Sequence, residues 1–140
     1  MTQYGVSFAA KLIEKGEFVE AIGAADKAIA LAEEDSEPRF ERALALAGMG
    51  QYLDAATDFE QAIALEVSSQ MLDTDILDDS YFDALLSAAR GESNIADGVK
   101  HLERYAKTLP EGRHAQDSID WAKRLRGELK SEFVKRSLDD

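Results

Sequence analysis

The sequence predicts an all-α protein built from stacked helix pairs, and three observations carry that expectation. A block of the chain recurs at a spacing of 34 residues: Gly16-Glu17-Phe18-Val19-Glu20-Ala21-Ile22 returns as Gly50-Gln51-Tyr52-Leu53-Asp54-Ala55-Ala56, and Ala28-Ile29-Ala30-Leu31 returns letter for letter as Ala62-Ile63-Ala64-Leu65. A fixed period of this length marks a repeat architecture. Helix formers dominate, and the two prolines, Pro38 and Pro110, both fall between helical segments, which leaves the helical hydrogen-bond ladders intact. Apolar residues also recur at helical spacing along most of the chain.

The first unit reads as helices near 3–15 and 19–33. Phe8, Ala9, Leu12 and Ile13 share a face of the first; Ala21, Ile22, Ala25, Ala28 and Ile29 share a face of the second. Gly16 sits where a helix end calls for positive φ, and Asp35 or Ser36 can cap the next helix ahead of Pro38. The second unit repeats the plan, with helices near 37–49 and 53–66 broken at Gly50. Phe59 replaces Ala25 at the matching place, so core volume is redistributed between the units. The period then slips by about nine residues. An irregular acidic segment with Asp73, Asp75, Asp78 and Asp79 is expected there, capping a helix near 80–90 at Ser80. A turn at Gly91-Glu92-Ser93 leads to a helix near 95–109, stopped by Pro110. A last helix near 115–136 carries Ile119, Ala122, Leu125, Leu129 and Phe133 on one face, with Trp121 beside it.

Composition narrows the function. Sixteen basic residues stand against 28 acidic ones, a net charge of −12. Nucleic acid and anionic membranes are disfavoured partners, because phosphate repulsion precedes any contact; a basic protein segment is favoured by long-range steering. The chain has no cysteine, which excludes disulfides and thiolate metal sites and fits a reducing compartment. As written, it opens without a basic end and apolar run of the secretory kind and contains no apolar stretch of about 18 residues, so the expected location is cytoplasmic.

The 34-residue helix pair resembles the tetratricopeptide repeat (TPR). The resemblance rests on Ala43, Gly50, Tyr52, Ala55, Phe59 and Ala62 in the second unit, and on Ala9, Gly16, Phe18, Ala21, Ala25 and Ala28 in the first. In a third, degenerate unit Leu86, Gly98, Leu102, Tyr105 and Pro110 fit by type, while Ser93 stands where glycine is expected. The resemblance implies one domain over 1–140, a right-handed superhelix of antiparallel pairs: repeats at 2–35 and 36–69, an acidic insertion at 70–78, a third repeat at 79–112, and a capping helix at 115–136.

It also implies a concave groove lined by the first helix of each pair. By position that groove shows Val6, Ala10 and Ile13, then Phe40, Glu41 and Leu44, then Asp83 and Ser87. Such a surface suits a peptide or helix with apolar anchors and a basic flank, although Ile13 and Phe40 can equally serve as packing between repeats. The family's grip on acidic chaperone tails needs cations, and the matching places hold Val6, Ala10, Glu41, Ser80 and Ala84. The expected function is therefore a non-enzymatic adaptor. Two further readings stay open: a small acidic chaperone for a secreted or aggregation-prone client, and an assembly element that forms a homodimer through its last helix, with Trp121 and Phe133 as anchors.

No constellation points to chemistry. His101 and His114 have no metalloenzyme spacing. The aspartates after residue 72 lack the turn glycine and late glutamate of a calcium loop. Gly48-Met49-Gly50 reads as a helix end rather than a phosphate loop. The expectation is no catalytic, cofactor or metal site.

Overall fold

The computed structural model describes residues 7–139, with the side chains of 7–127. Among these residues there are seven helices: α1 (Phe8–Glu14), α2 (Phe18–Leu31), α3 (Ser36–Gly48), α4 (Tyr52–Ser69), α5 (Thr74–Gly91), α6 (Ile95–Thr108) and α7 (Ala115–Asp139). Successive helices pack as antiparallel neighbours. The chain divides into two compact units, the first ending at Ala84 and the second beginning at Leu85.

In the first unit, the 34-residue period is a repeat of backbone geometry as well as of letters. At the end of α1, Gly16 takes φ +76°, its N–H donates to Ile13 O (2.9 Å), and Glu17 N–H donates to Leu12 O (2.8 Å). At the end of α3, Gly50 takes φ +80°, donating to Ala47 O (3.0 Å), and Gln51 N–H donates to Leu46 O (2.9 Å). Both are Schellman turns, in which a left-handed glycine closes the last carbonyls of a helix. The residues that follow match as well: Glu17 at φ −89°, ψ 68° and Gln51 at φ −90°, ψ 67°.

Between the turns, small residues set the helix spacing. Ala21, Ala25, Ala43, Ala45, Ala55, Ala56 and Ala62 are all buried. At Gly48 an added Cβ would stand 2.5 Å from the Phe18 ring, which brings α3 against the start of α2. The fully buried Phe59 fills the space these alanines leave beside α4. Its ring meets Phe40 of α3 at 5.9 Å and Tyr81 of α5 at 6.4 Å, both in tilted or edge-on geometry that suits aromatic quadrupoles. Arg42 of α3 ties the neighbouring helices together, with a two-pronged bond to the buried Asp58 of α4 (2.7 and 2.8 Å) and a third bond to Asp26 of α2 (2.8 Å). The bonds to Asp58 in particular hold its guanidinium well above the ordinary arginine range.

The segment where the period slips is more helical than the sequence suggests. The cap expected at Ser80 is instead Asp73, whose carboxylate accepts from Asp75 N (2.9 Å) and Ile76 N (3.2 Å). Helix α5 therefore starts at Thr74, with Leu77 buried in the added turns, and Asp75, Asp78 and Asp79 are helical. Helix α4 also overruns its expected end. Its buried Glu66 accepts from the Ser36 hydroxyl and from Leu72 N (2.7 Å), and Gln70 takes the left-handed conformation that stops the helix. Ser7 is extended (φ −61°, ψ 161°) and caps α1 by accepting from Ala10 N (3.0 Å), so α1 begins at Phe8; the part of the expected helix at 3–6 lies outside the described residues.

In the second unit, α5 from Leu85 onward, α6 and α7 enclose Leu85, Ala88, Val99, Leu102, Tyr105, Ala115 and Ala122. Gly98 lets α6 approach α5 closely: a Cβ there would lie 3.2 Å from Ala89 O. The turn between these helices lacks the glycine geometry of the first two; Asn94 instead caps α6 by accepting from Ala96 N (2.8 Å). Tyr105 anchors α6 to the turn before α7, its hydroxyl accepting from His114 N (3.0 Å). An Arg126–Glu103 ion pair (2.7 Å) joins α7 to α6. Among the described residues, no helix is long and apolar enough to cross a membrane.

Candidate partner-binding cleft

Helices α1, α2 and α3 surround a cleft of about 600 Å³ in the first unit. Volumes of this order accommodate several side chains of a ligand. Where α4 carries Phe59, α2 carries Ala25 at the matching repeat position, 1% exposed and part of the cleft wall. The Phe59 ring fills the space that α4 shares with α3 and α5; at the matching position the small Ala25 is itself buried, and the cleft lies beside it.

The floor is apolar: Ala9 and Leu12 from α1, Ala24 and Ala28 from α2, and Pro38 from α3. Phe8 stands at the edge, 69% exposed, an unusual position for a phenylalanine in the first turn of a helix. The polar lining is acidic, with Glu20 on α2, and Asp35, Glu37 and Glu41 at the start of α3, against the single cation Lys27. Local structure explains the acids on α3: Asp35 is the N-cap, accepting from Glu37 N (3.1 Å), and carboxylates are favoured at the positive end of the helix dipole.

Glu41 is 7% exposed and accepts a hydrogen bond from the Ser7 hydroxyl. That hydroxyl oxygen also caps α1, so one side chain joins the starts of the first helices of the two pairs. Burial pushes the Glu41 carboxyl up from its ordinary value to about 7; the Ser7 bond opposes the rise and the nearby Glu37 and Asp35 charges add to it.

Of the residues the sequence places in a groove, Glu41 lines this cleft. Ile13 packs with Phe18, Ile22 and Ala24 against the cluster of Leu12, Ala21 and Ala45, and Phe40 rests on Phe59. Ala10 and Leu44 are half-buried, Asp83 is exposed, and Ser87 is half-buried in the second unit. Val6 lies outside the described residues. Trp121 is 40% exposed on α7 with Arg124 over its ring at 5.6 Å, and the Phe133 side chain lies outside those described. Sequence reasoning missed Ser7, Phe8, Glu20, Asp35, Glu37 and Pro38 as neighbours. The signal that locates them is the Ala25-for-Phe59 exchange, which marks where the repeat lacks its bulky residue.

Compared with family models, curated proteins and solved structures, the chain finds no match in any of the three. The resemblance to the tetratricopeptide repeat therefore stands on this chain's own residues and turns, and what holds independently of it is an all-helical protein of seven packed helices among the described residues.

Proposed function

We propose that the chain is a non-enzymatic protein-binding module, built on tetratricopeptide-like pairs of the superhelical kind, that takes a peptide or helix of a partner protein into the cleft between α1, α2 and α3. The observation that carries this reading is the cleft itself, an apolar floor with an acidic rim and an exposed phenylalanine at its edge. The identical glycine turns at Gly16 and Gly50 support the repeat part of the reading. An acidic rim favours a partner with a basic flank and disfavours nucleic acid, and a cytoplasmic location fits the cysteine-free composition.

The test is affinity capture from a lysate of the source organism with the wild-type protein and a Phe8→Glu, Glu37→Lys double variant, circular dichroism confirming that both are helical. A partner retained by the wild type and lost by the variant supports cleft binding. Equal retention by both removes the cleft from the interface. Co-purification with an aggregation-prone client at fixed stoichiometry would identify the chaperone form of the same reading.

A second reading has its own observation. Ile119 and Trp121 are both exposed on α7, as large apolar residues at a self-association surface would be. A concentration-dependent mass that Trp121→Glu abolishes would establish it.

A further inference from the structure

We infer that the cleft exchanges a proton for a cation: a lysine or arginine side chain of the partner's basic segment seats against Asp35 and Glu37, and Glu41, one turn further along α3, gives up its proton as that charge arrives. The inference rests on the protein-binding reading above and names the chemistry and the regulation of that binding.

Three carboxyl side chains are buried among the described residues, and two of them show how such a group is satisfied. Asp58 has a counter-ion, since the Arg42 guanidinium grips both of its oxygens at 2.7 and 2.8 Å. Glu66 has a neutral donor on each oxygen, the Ser36 hydroxyl on one and Leu72 N (2.7 Å) on the other. Glu41 accepts from the neutral Ser7 hydroxyl, and the charges that act on it, Glu37 and Asp35, are both of its own sign. A carboxyl drawn out of water beside like charges keeps its proton, and burial first, then these neighbours, push Glu41 up to about 7.

The cavity gives a cation its place. Asp35, Glu37 and Glu41 line the same space of about 600 Å³, and Asp35 and Glu37 are only half-buried, so their carboxylates are open to a ligand within it. Of the elements packed around Glu41, α2 brings Glu20 and Lys27 to this space, α3 brings Asp35 and Glu37, and the lining residues of α1 carry no charge. Four carboxyl groups thus share the cavity with one exposed amine. A guanidinium or ammonium entering beside the apolar floor offsets that excess, and charge-assisted hydrogen bonds are the stronger ones. Contact with Glu41 itself is not required, because a cation within about 4–6 Å of a carboxyl favours its ionised form. Binding of the cation and ionisation of Glu41 therefore assist each other, and affinity for a basic segment rises with pH through neutrality.

The probe is a fluorescein-labelled 12-residue peptide of alternating leucine and lysine, whose ammonium groups stay charged throughout the range used. Its affinity is measured by fluorescence anisotropy at pH 6 and pH 8, at one salt concentration, with circular dichroism confirming that every variant is folded. The wild type should bind about five- to tenfold more tightly at pH 8. Glu41→Gln, which keeps an acceptor for Ser7 and cannot ionise, should bind at both pH values about as weakly as the wild type does at pH 6. Glu37→Gln should weaken binding at both and retain a rise with pH. Asp54→Asn removes the same charge from an exposed position outside the cleft lining and should change the affinities by less than about twofold.

Equal wild-type affinity at the two pH values, or a rise with pH that survives in Glu41→Gln, overturns the exchange and leaves the protein-binding reading standing. An Asp54→Asn effect as large as that of Glu37→Gln would show attraction to net charge alone and overturns it as well. Absence of binding at both pH values also overturns the inference, whereas the protein-binding reading is decided separately by the lysate capture.

Discussion

The first and second helix pairs share a frame and differ in their contents. Their Schellman turns agree within a few degrees, and buried alanines recur at matching places in both. Phe59 is packed inside the second pair; the first, with the smaller Ala25 at that place, has a cleft beside it. The difference separates two things that a repeat must specify. Glycine and alanine fix how the helices approach, and the bulky position sets how much side-chain volume is packed between them.

The strongest way to break this comparison is Phe59→Ala, which makes the second pair resemble the first. The side chain is fully enclosed with two aromatic neighbours, so its removal should cost about 3–5 kcal/mol in urea unfolding. A loss below about 1 kcal/mol would mean that Phe59 does not play the filling role assigned to it.

The turns sharpen the comparison at a smaller scale. Gly16→Ala and Gly50→Ala should each destabilise by about 1 kcal/mol, and by equal amounts, since both residues hold φ near +80° with open space where a Cβ would go. Gly91→Ala, at the third turn, should be neutral or stabilising by a few tenths of a kcal/mol, because Gly91 is the last residue of α5 and has no positive φ. Unequal costs at Gly16 and Gly50 would show that the two turns are alike in angle only.

A pH series tests the cleft alone. Burial raises the Glu41 carboxyl to about 7 in the folded protein from its ordinary value of 4.5. Between those values the native state binds more protons than the unfolded chain, so the stability contributed by this group is fully present below about pH 4.5 and lost as pH rises through about 7. Glu41→Gln should flatten that decline, gaining in melting temperature relative to wild type at pH 8 and losing the advantage at pH 5. An unchanged difference between the two proteins across this range would remove Glu41 as the titrating group.

Much of the frame was legible in the sequence because it is written in residues with narrow backbone meanings. Gly16 and Gly50 mark left-handed helix ends, and seven helices follow from periodicity and two prolines. The acidic segment misled, because Asp73 looks like part of a polar loop until its carboxylate is seen capping a helix that starts at Thr74, six residues before the expected Ser80. Of the residues named for the groove, Glu41 also lines the cleft. Ile13 and Phe40 are drawn into packing by neighbours the sequence does not place beside them, Ala45 and Phe59. The exchange of Phe59 for Ala25 beside the cleft is visible only when the two units are aligned.

The matching turns have a consequence for how this protein can change. Residues 16–49 form a cassette that begins and ends at the same joint. A duplicate inserted ahead of Gly50 would meet, at each seam, a bend the chain already makes. Every copy would bring the same pair of joints, so the array could lengthen without needing a new kind of turn.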